Sequence, residues 1–163
     1  MLLPLLLAVV LCAAAPAPAI VTNINLEVSI SRQKITTNNQ QGTGHRRAEF
    51  AEASVLEISI AANGPPLSEV TLDWYFVARD LRKATLSFYG RGSRTITAMR
   101  VPQKLSVPSD ALSSTLSRNN STGTYKSGTE PAGWVVIATH KGQVMAIKGS
   151  TPEMINWVRQ NAK

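Results

Sequence analysis

Val70-Thr71-Leu72-Asp73-Trp74-Tyr75-Phe76-Val77-Ala78-Arg79 decides how this chain is read. At period two, Val70, Leu72, Trp74, Phe76 and Ala78 fall on one face and Thr71, Asp73, Tyr75, Val77 and Arg79 on the other. The stretch is dense in β-branched and aromatic residues, which suit a pleated, half-buried surface. It is expected to be the central strand of a β-sandwich.

The same alternation recurs outward from it. Ile24, Leu26, Val28 and Ile30 interleave with Asn25, Glu27, Ser29 and Ser31, and a second strand is expected from Glu52 to Ala62. Asn63-Gly64-Pro65-Pro66 stops that strand, since Pro has no N–H for a ladder. Downstream, strands are expected at Thr85–Tyr89 and Arg94–Val101, with Gly90-Arg91-Gly92 as a tight turn between them. Gly133–Thr139 and Val144–Lys148 form a hairpin around Lys141-Gly142. Two polar segments, Gln33–Arg47 and Ser109–Ala132, are expected to be long loops, the second enclosing at most one weak strand.

The hairpin arm Trp134–Ala138 is apolar on both faces and needs a cover on both. Ser150-Thr151-Pro152-Glu153 supplies a helix start, with a capping hydroxyl, Pro in the first turn and Glu three after Ser. The helix that follows carries Met154, Trp157 and Val158 on one side. It is expected to pack on the sheet face of Tyr75, Val77, Ile137 and Ile147. About seven short strands, polar turns and no long internal helix make the domain all-β, an antiparallel sandwich with a short C-terminal helix.

Residues 1–19 stand apart. Met1–Leu11 is almost wholly apolar, and Ala13 to Ala19 is rich in small residues, as in a secretory signal cleaved before Ile20. No Lys or Arg precedes the apolar run. It falls short of the roughly 20 residues a membrane span needs. Cys12, the only cysteine, lies inside this segment, and the Leu11 before it disfavours a lipoprotein reading. An export signal without disulfides points to a bacterial protein of the periplasm or cell surface. Residues 20–163 then make one domain, long enough to bury a core without staples.

The run from Val55 to Trp74 (VLEISIAANGPPLSEVTLDW) resembles secreted bacterial immunoglobulin-like domains. A strand ends in an Asn-led turn, and a Leu-x-x-Val pair opens the next. It is most similar to small immunoglobulin-like domains of cell-envelope proteins, some related in fold to pilus subunits. The paired cysteines of antibody domains are absent. The resemblance implies an immunoglobulin-like sandwich that binds, spaces or adheres, and it carries no catalytic residues.

Catalytic chemistry has little to draw on. A nucleophile needs a base beside it, and the two histidines, His45 and His140, are expected in or beside loops. Two distant histidines do not make a zinc site, the acidic residues lack calcium-loop spacing, and the Gly-rich turns lack the Lys-Ser/Thr of a phosphate loop. No cofactor is expected. Asn119-Asn120-Ser121-Thr122 is expected to be an exposed turn.

Charge is the distinctive feature. The net charge is +7, and Arg79, Arg82, Lys83, Arg91, Arg94, Arg100 and Lys104 face one acid, Asp80, within one stretch. That stretch is the candidate anion-binding site, for an anionic glycan or lipopolysaccharide. Phe88 and Tyr89 are too few aromatics for nucleic-acid stacking. The alternative is a solvated face whose arginines discourage edge pairing. The expected function is therefore an exported, non-catalytic binding or structural module of a bacterial envelope, whose partner is an anionic glycan or lipid or another envelope protein. A small envelope hydrolase and a pilus-like subunit that keeps its apolar N-terminus are the rivals.

Overall fold

The computed structural model describes residues 23–99, 101–119 and 123–162. The leader with its cleavage site and Cys12, Arg100, and residues 120–122 of the Asn119–Thr122 turn lie outside the described residues.

The alternating stretch becomes β3 (Leu67–Asp80). Val70, Leu72, Phe76 and Ala78 are buried, with Trp74 half-buried among them. β3 is paired antiparallel along both edges, by β4 (Leu86–Met99) and β7 (Gly123–His140).

β4 is one continuous strand, which corrects the expected turn at Gly90-Arg91-Gly92. Gly90 and Gly92 sit opposite Phe76 and Trp74 in the ladder. A Cβ on Gly90 would lie 3.0 Å from the Phe76 ring, and one on Gly92 would collide with the Trp74 indole. The glycines here make room for aromatic rings rather than for a reversal of the chain. A bulge at Phe76/Val77 leaves Tyr89 as the extra residue. Tyr89 enters the core beside Phe76, with ring centroids 5.6 Å apart. Its hydroxyl donates to buried Ser54 Oγ at 3.2 Å.

β1 (Asn23–Gly42) pairs with β2 (His45–Asn63) along its whole length. β2 then takes two partners on its other edge. β5 (Gln103–Pro108) covers Val55–Ile60, and β6 (Leu112–Asn119) covers His45–Glu52. The first part of β7 joins β6, and the rest joins β3; β8 (Gln143–Gly149) closes the hairpin with β7. Lys141 and Gly142 both have positive φ (48° and 77°), as a tight two-residue turn demands.

The strands thus form one open, antiparallel order, β1-β2-β6-β7-β3-β4 with β5 and β8 alongside. It folds over into two layers. Leu26, Leu56, Ile58 and Ile60 of β1 and β2 meet Val70, Leu72, Phe76, Val136 and Ala138 of β3 and β7 in one core. The layers β1-β2-β5 and β4-β3-β7-β8 have the Greek-key connectivity of an immunoglobulin-like sandwich. Among the described residues the strands number eight, in keeping with the expected seven or so.

Both expected polar loops are strands. Gln33–Arg47 forms the end of β1, the start of β2 and a short turn at Thr43-Gly44; Ser109–Ala132 contains β6 and the first part of β7. Their backbones are satisfied by ladder bonds to one another. Among the described residues only Leu112 in these segments is buried in the core, so no run of buried side chains marks them as strands.

The outer face of the β3 layer is covered as expected. α1 (Pro152–Asn161) seats Met154 and Val158 against Val77 and Val135, and Tyr75, Ile137, Ile147 and Trp157 complete the cluster. The Trp157 ring lies 4.9 Å from Phe88. Thr151 is the cap, its Oγ1 accepting from the Met154 N–H at 3.3 Å. Ser150 instead accepts from the Trp134 N–H at 3.2 Å, tying the helix entry to the strand it covers.

Candidate anion-binding face

Of the seven cations singled out in the sequence, the six among the described residues, all but Arg100, are distributed over both layers. Arg79 lies one residue before the end of β3, opposite Glu130. Arg82 and Lys83 lie in the β3–β4 turn. Arg91 and Arg94 are three residues apart on β4, so they project from opposite faces. Arg91 lines a cavity on the helix side with Asp73, Tyr75 and Ala162. There burial raises the Tyr75 hydroxyl pKa, Asp73 adds to the rise, and Arg91 opposes it. Arg94 pairs with Leu72 at the open edge between β4 and β5, beside a cavity of about 220 Å³ that Ile60, Leu105 and Lys104 also line. The fold therefore brings Arg94 and Lys104 together and separates them from Arg79, Arg82, Lys83 and Arg91.

The turn at Arg82 and Lys83 is organised by Asp80. Its Oδ1 accepts from the backbone N–H groups of Arg82 (2.8 Å) and Lys83 (2.9 Å). Those bonds, the one from Lys83 first, lower its pKa below the ordinary 3.8. A lowered carboxylate contributes stability above its unfolded pKa and loses it as pH falls through the folded value. Asp80→Ala is therefore expected to unfold at a lower temperature at neutral pH. Between pH 4 and 2 its melting temperature should also fall less than that of wild type. Parallel declines in the two proteins would show that the turn carries no such linkage.

A different set of cations gathers where the sheet overhangs. β2 runs without a bulge, so Arg46, Ala48, Phe50 and Glu52 continue the face of Ser54, Leu56, Ile58 and Ile60 past the end of the core. In register, Arg118 sits opposite Arg46, Leu116 opposite Ala48, and Lys126 opposite Leu116. Arg32 and Lys34 join from β1, opposite Ser54 and Glu52. Lys34 Nζ lies 4.6 Å above the Phe50 ring, which confirms their shared face. One face of the overhang thus presents Arg32, Lys34, Arg46, Arg118 and Lys126, all exposed, against a single carboxylate, Glu52. Among the described residues the only ion pair is Arg47–Glu49, 2.9 Å, on the opposite face.

Arg46 and Arg118 are directly opposed on neighbouring strands, a placement that destabilises a sheet unless an anion relieves it. Both line a cavity of about 270 Å³ at the tip, with Gly42, Gly44 and His45. These two arginines are 72 positions apart, and no pattern in the chain links them. The Arg46-Arg47 doublet beside His45 is the one local signal of a basic tip.

His45 has neither a hydroxyl nor a carboxylate among its cavity neighbours. His140 ends β7 with its Nδ1 buried and unpartnered. Among the described residues no three His, Cys, Asp or Glu side chains cluster as metal ligands, and no helix is long and apolar enough to cross a membrane.

No family model matches the chain, and no curated protein matches it in sequence. Among solved structures, a crystal structure from Akkermansia muciniphila is similar with a TM-score of 0.38 and 14% identity, over 86% of this chain and 77% of that one. The X-ray structure of the structural-genomics target SoR45 is similar with a TM-score of 0.21 and 12% identity, over 79% of this chain and 88% of that one.

Proposed function

We propose that the chain is an exported, non-catalytic binding module of a bacterial cell envelope that holds an anionic glycan along the overhanging β1-β2-β6-β7 face. Five exposed cations facing one carboxylate carry this reading. From Arg46 to Glu52 the face runs roughly 20 Å along the strands, and across four strands it measures roughly 14 Å. Those dimensions suit a run of charged sugars better than a single headgroup. Arginine forks match phosphate, sulfate and carboxylate oxygens in pairs. The half-buried Phe50 and Leu116 between the cations offer apolar surface to a sugar ring. Support for export comes from the leader-like residues 1–19.

The test uses heparin as the probe, with protein recovered from the envelope fraction and its N-terminus at Ile20 read by mass spectrometry. Arg46→Ser/Arg118→Ser/Lys126→Ser is expected to weaken binding at least tenfold at low salt and to lower the elution salt. Arg79→Ser/Arg82→Ser/Arg91→Ser removes the same charge and is expected to change binding much less. Equal losses in the two triple variants would reduce the effect to net charge. Failure of the wild type to bind at low salt would overturn the proposal, because exposed cations act at full range only when screening is weak.

A further inference from the structure

Among the described residues β1 pairs with β2 alone, and its other edge has no strand partner along 20 residues. Beyond Ile30 every residue from Ser31 to Gly42 is exposed, so no described residue covers that edge of the overhang. Sheet proteins usually blunt such an edge with charge, proline, shortness or a bulge. From Ile35 to Gly44 the sequence is Ile-Thr-Thr-Asn-Asn-Gln-Gln-Gly-Thr-Gly, with no charge and no proline. Only a bulge is present, at Thr37, whose hydroxyl turns back toward the Glu49 carbonyl of β2 at 3.2 Å. The edge from Asn38 to Gly42 is left uninterrupted and rich in side-chain amides, which donate and accept equally and stack into ladders.

We propose that this edge pairs with the same edge of a second copy of the chain, antiparallel about a twofold axis at Gln40. The charge pattern selects both partner and direction. Parallel pairing in register would set Arg32 against Arg32 and Lys34 against Lys34, which is repulsive. Antiparallel pairing centred on Gln40 sets Asn38 against Gly42 and leaves Lys34 and Arg32 beyond the ladder. The amide-rich edge is its own complement, as an isologous interface requires. Because the overhang projects past the core, the two sandwiches stay clear of each other. The twofold is perpendicular to the sheet, so both cationic faces lie on the same side and form one track of eight strands.

The test uses the exported protein beginning at Ile20, which has no thiol of its own. Sedimentation is expected to show a concentration-dependent dimer. Oxidised Gln40→Cys should cross-link into a covalent dimer, since opposed residues on antiparallel strands lie within disulfide reach. Thr97→Cys on the β4 edge should not. Asn38→Lys/Gln40→Lys sets like charges across the axis and should weaken the dimer about tenfold or more while leaving the melting temperature unchanged. A wild type that stays monomeric up to its solubility limit, or equal cross-linking of both cysteine variants, would overturn the pairing. Heparin retention by a strictly monomeric protein would sink this inference and leave the binding reading intact.

Discussion

Phe76→Ala is expected to lower the free energy of unfolding by about 3–5 kcal/mol, the range for removing a fully buried aromatic ring. Phe76 has no exposed surface. Its ring is held on β3 by three neighbours at once: Tyr89 at 5.6 Å, the bare backbone of Gly90 opposite on β4, and Trp134 opposite on β7. Gly90 has no side chain to move into the vacated volume and its backbone is held in the ladder, so part of the cavity persists and its cost adds to the lost burial. Trp74→Ala, two residues along the same face, should cost less, because Trp74 is only half-buried and lies near the open side of the β4 layer. Urea unfolding of the two variants checks the order. A Trp74 variant destabilised more than the Phe76 variant would mean that the centre of the core lies elsewhere.

The second large effect is expected at the helix. Val158 is fully buried between α1 and the β3–β7 surface, against Val77 and Val135. Val158→Asp places a carboxylate in that apolar cluster. An uncompensated buried charge costs at least about 3 kcal/mol. The chain can avoid that cost only by protonating the side chain or lifting α1 off the sheet. Lifting it would bare Tyr75, Ile137, Ile147 and Trp157 and promote aggregation. Protonation favours the folded state of this variant, so its deficit should shrink as the pH falls toward 4, the reverse of an ordinary paired carboxylate. A melting temperature at neutral pH equal to wild type would show that the helix is a loose tail.

The candidate site was far less legible than the core. The cations from Arg79 to Lys104 are neighbours in the chain, but alternation throws Arg91 and Arg94 to opposite faces, and the crossing from β4 to β5 carries Lys104 into the other layer. Arg46, Arg118 and Lys126 are brought together by ladder pairing between segments that read as polar loops. Pairing across strands has no trace in local spacing when both faces of a strand meet water. In that case the period-two signal is absent.

What the chain determined by itself is the part governed by burial. β3, the first half of β1, the second half of β2, the β7–β8 hairpin and the capped helix each announce themselves, because one face must leave water and the side chains alternate accordingly. The tertiary structure alone decided the rest. Gly90 and Gly92 became strand because two rings from β3 occupy the space a side chain would need. Gln33–Arg47 and Ser109–Ala132 became an overhanging sheet because their backbone groups found partners in one another. The cationic face exists only through that pairing, since hydrogen bonds between distant segments, and no local preference, set which charges stand side by side.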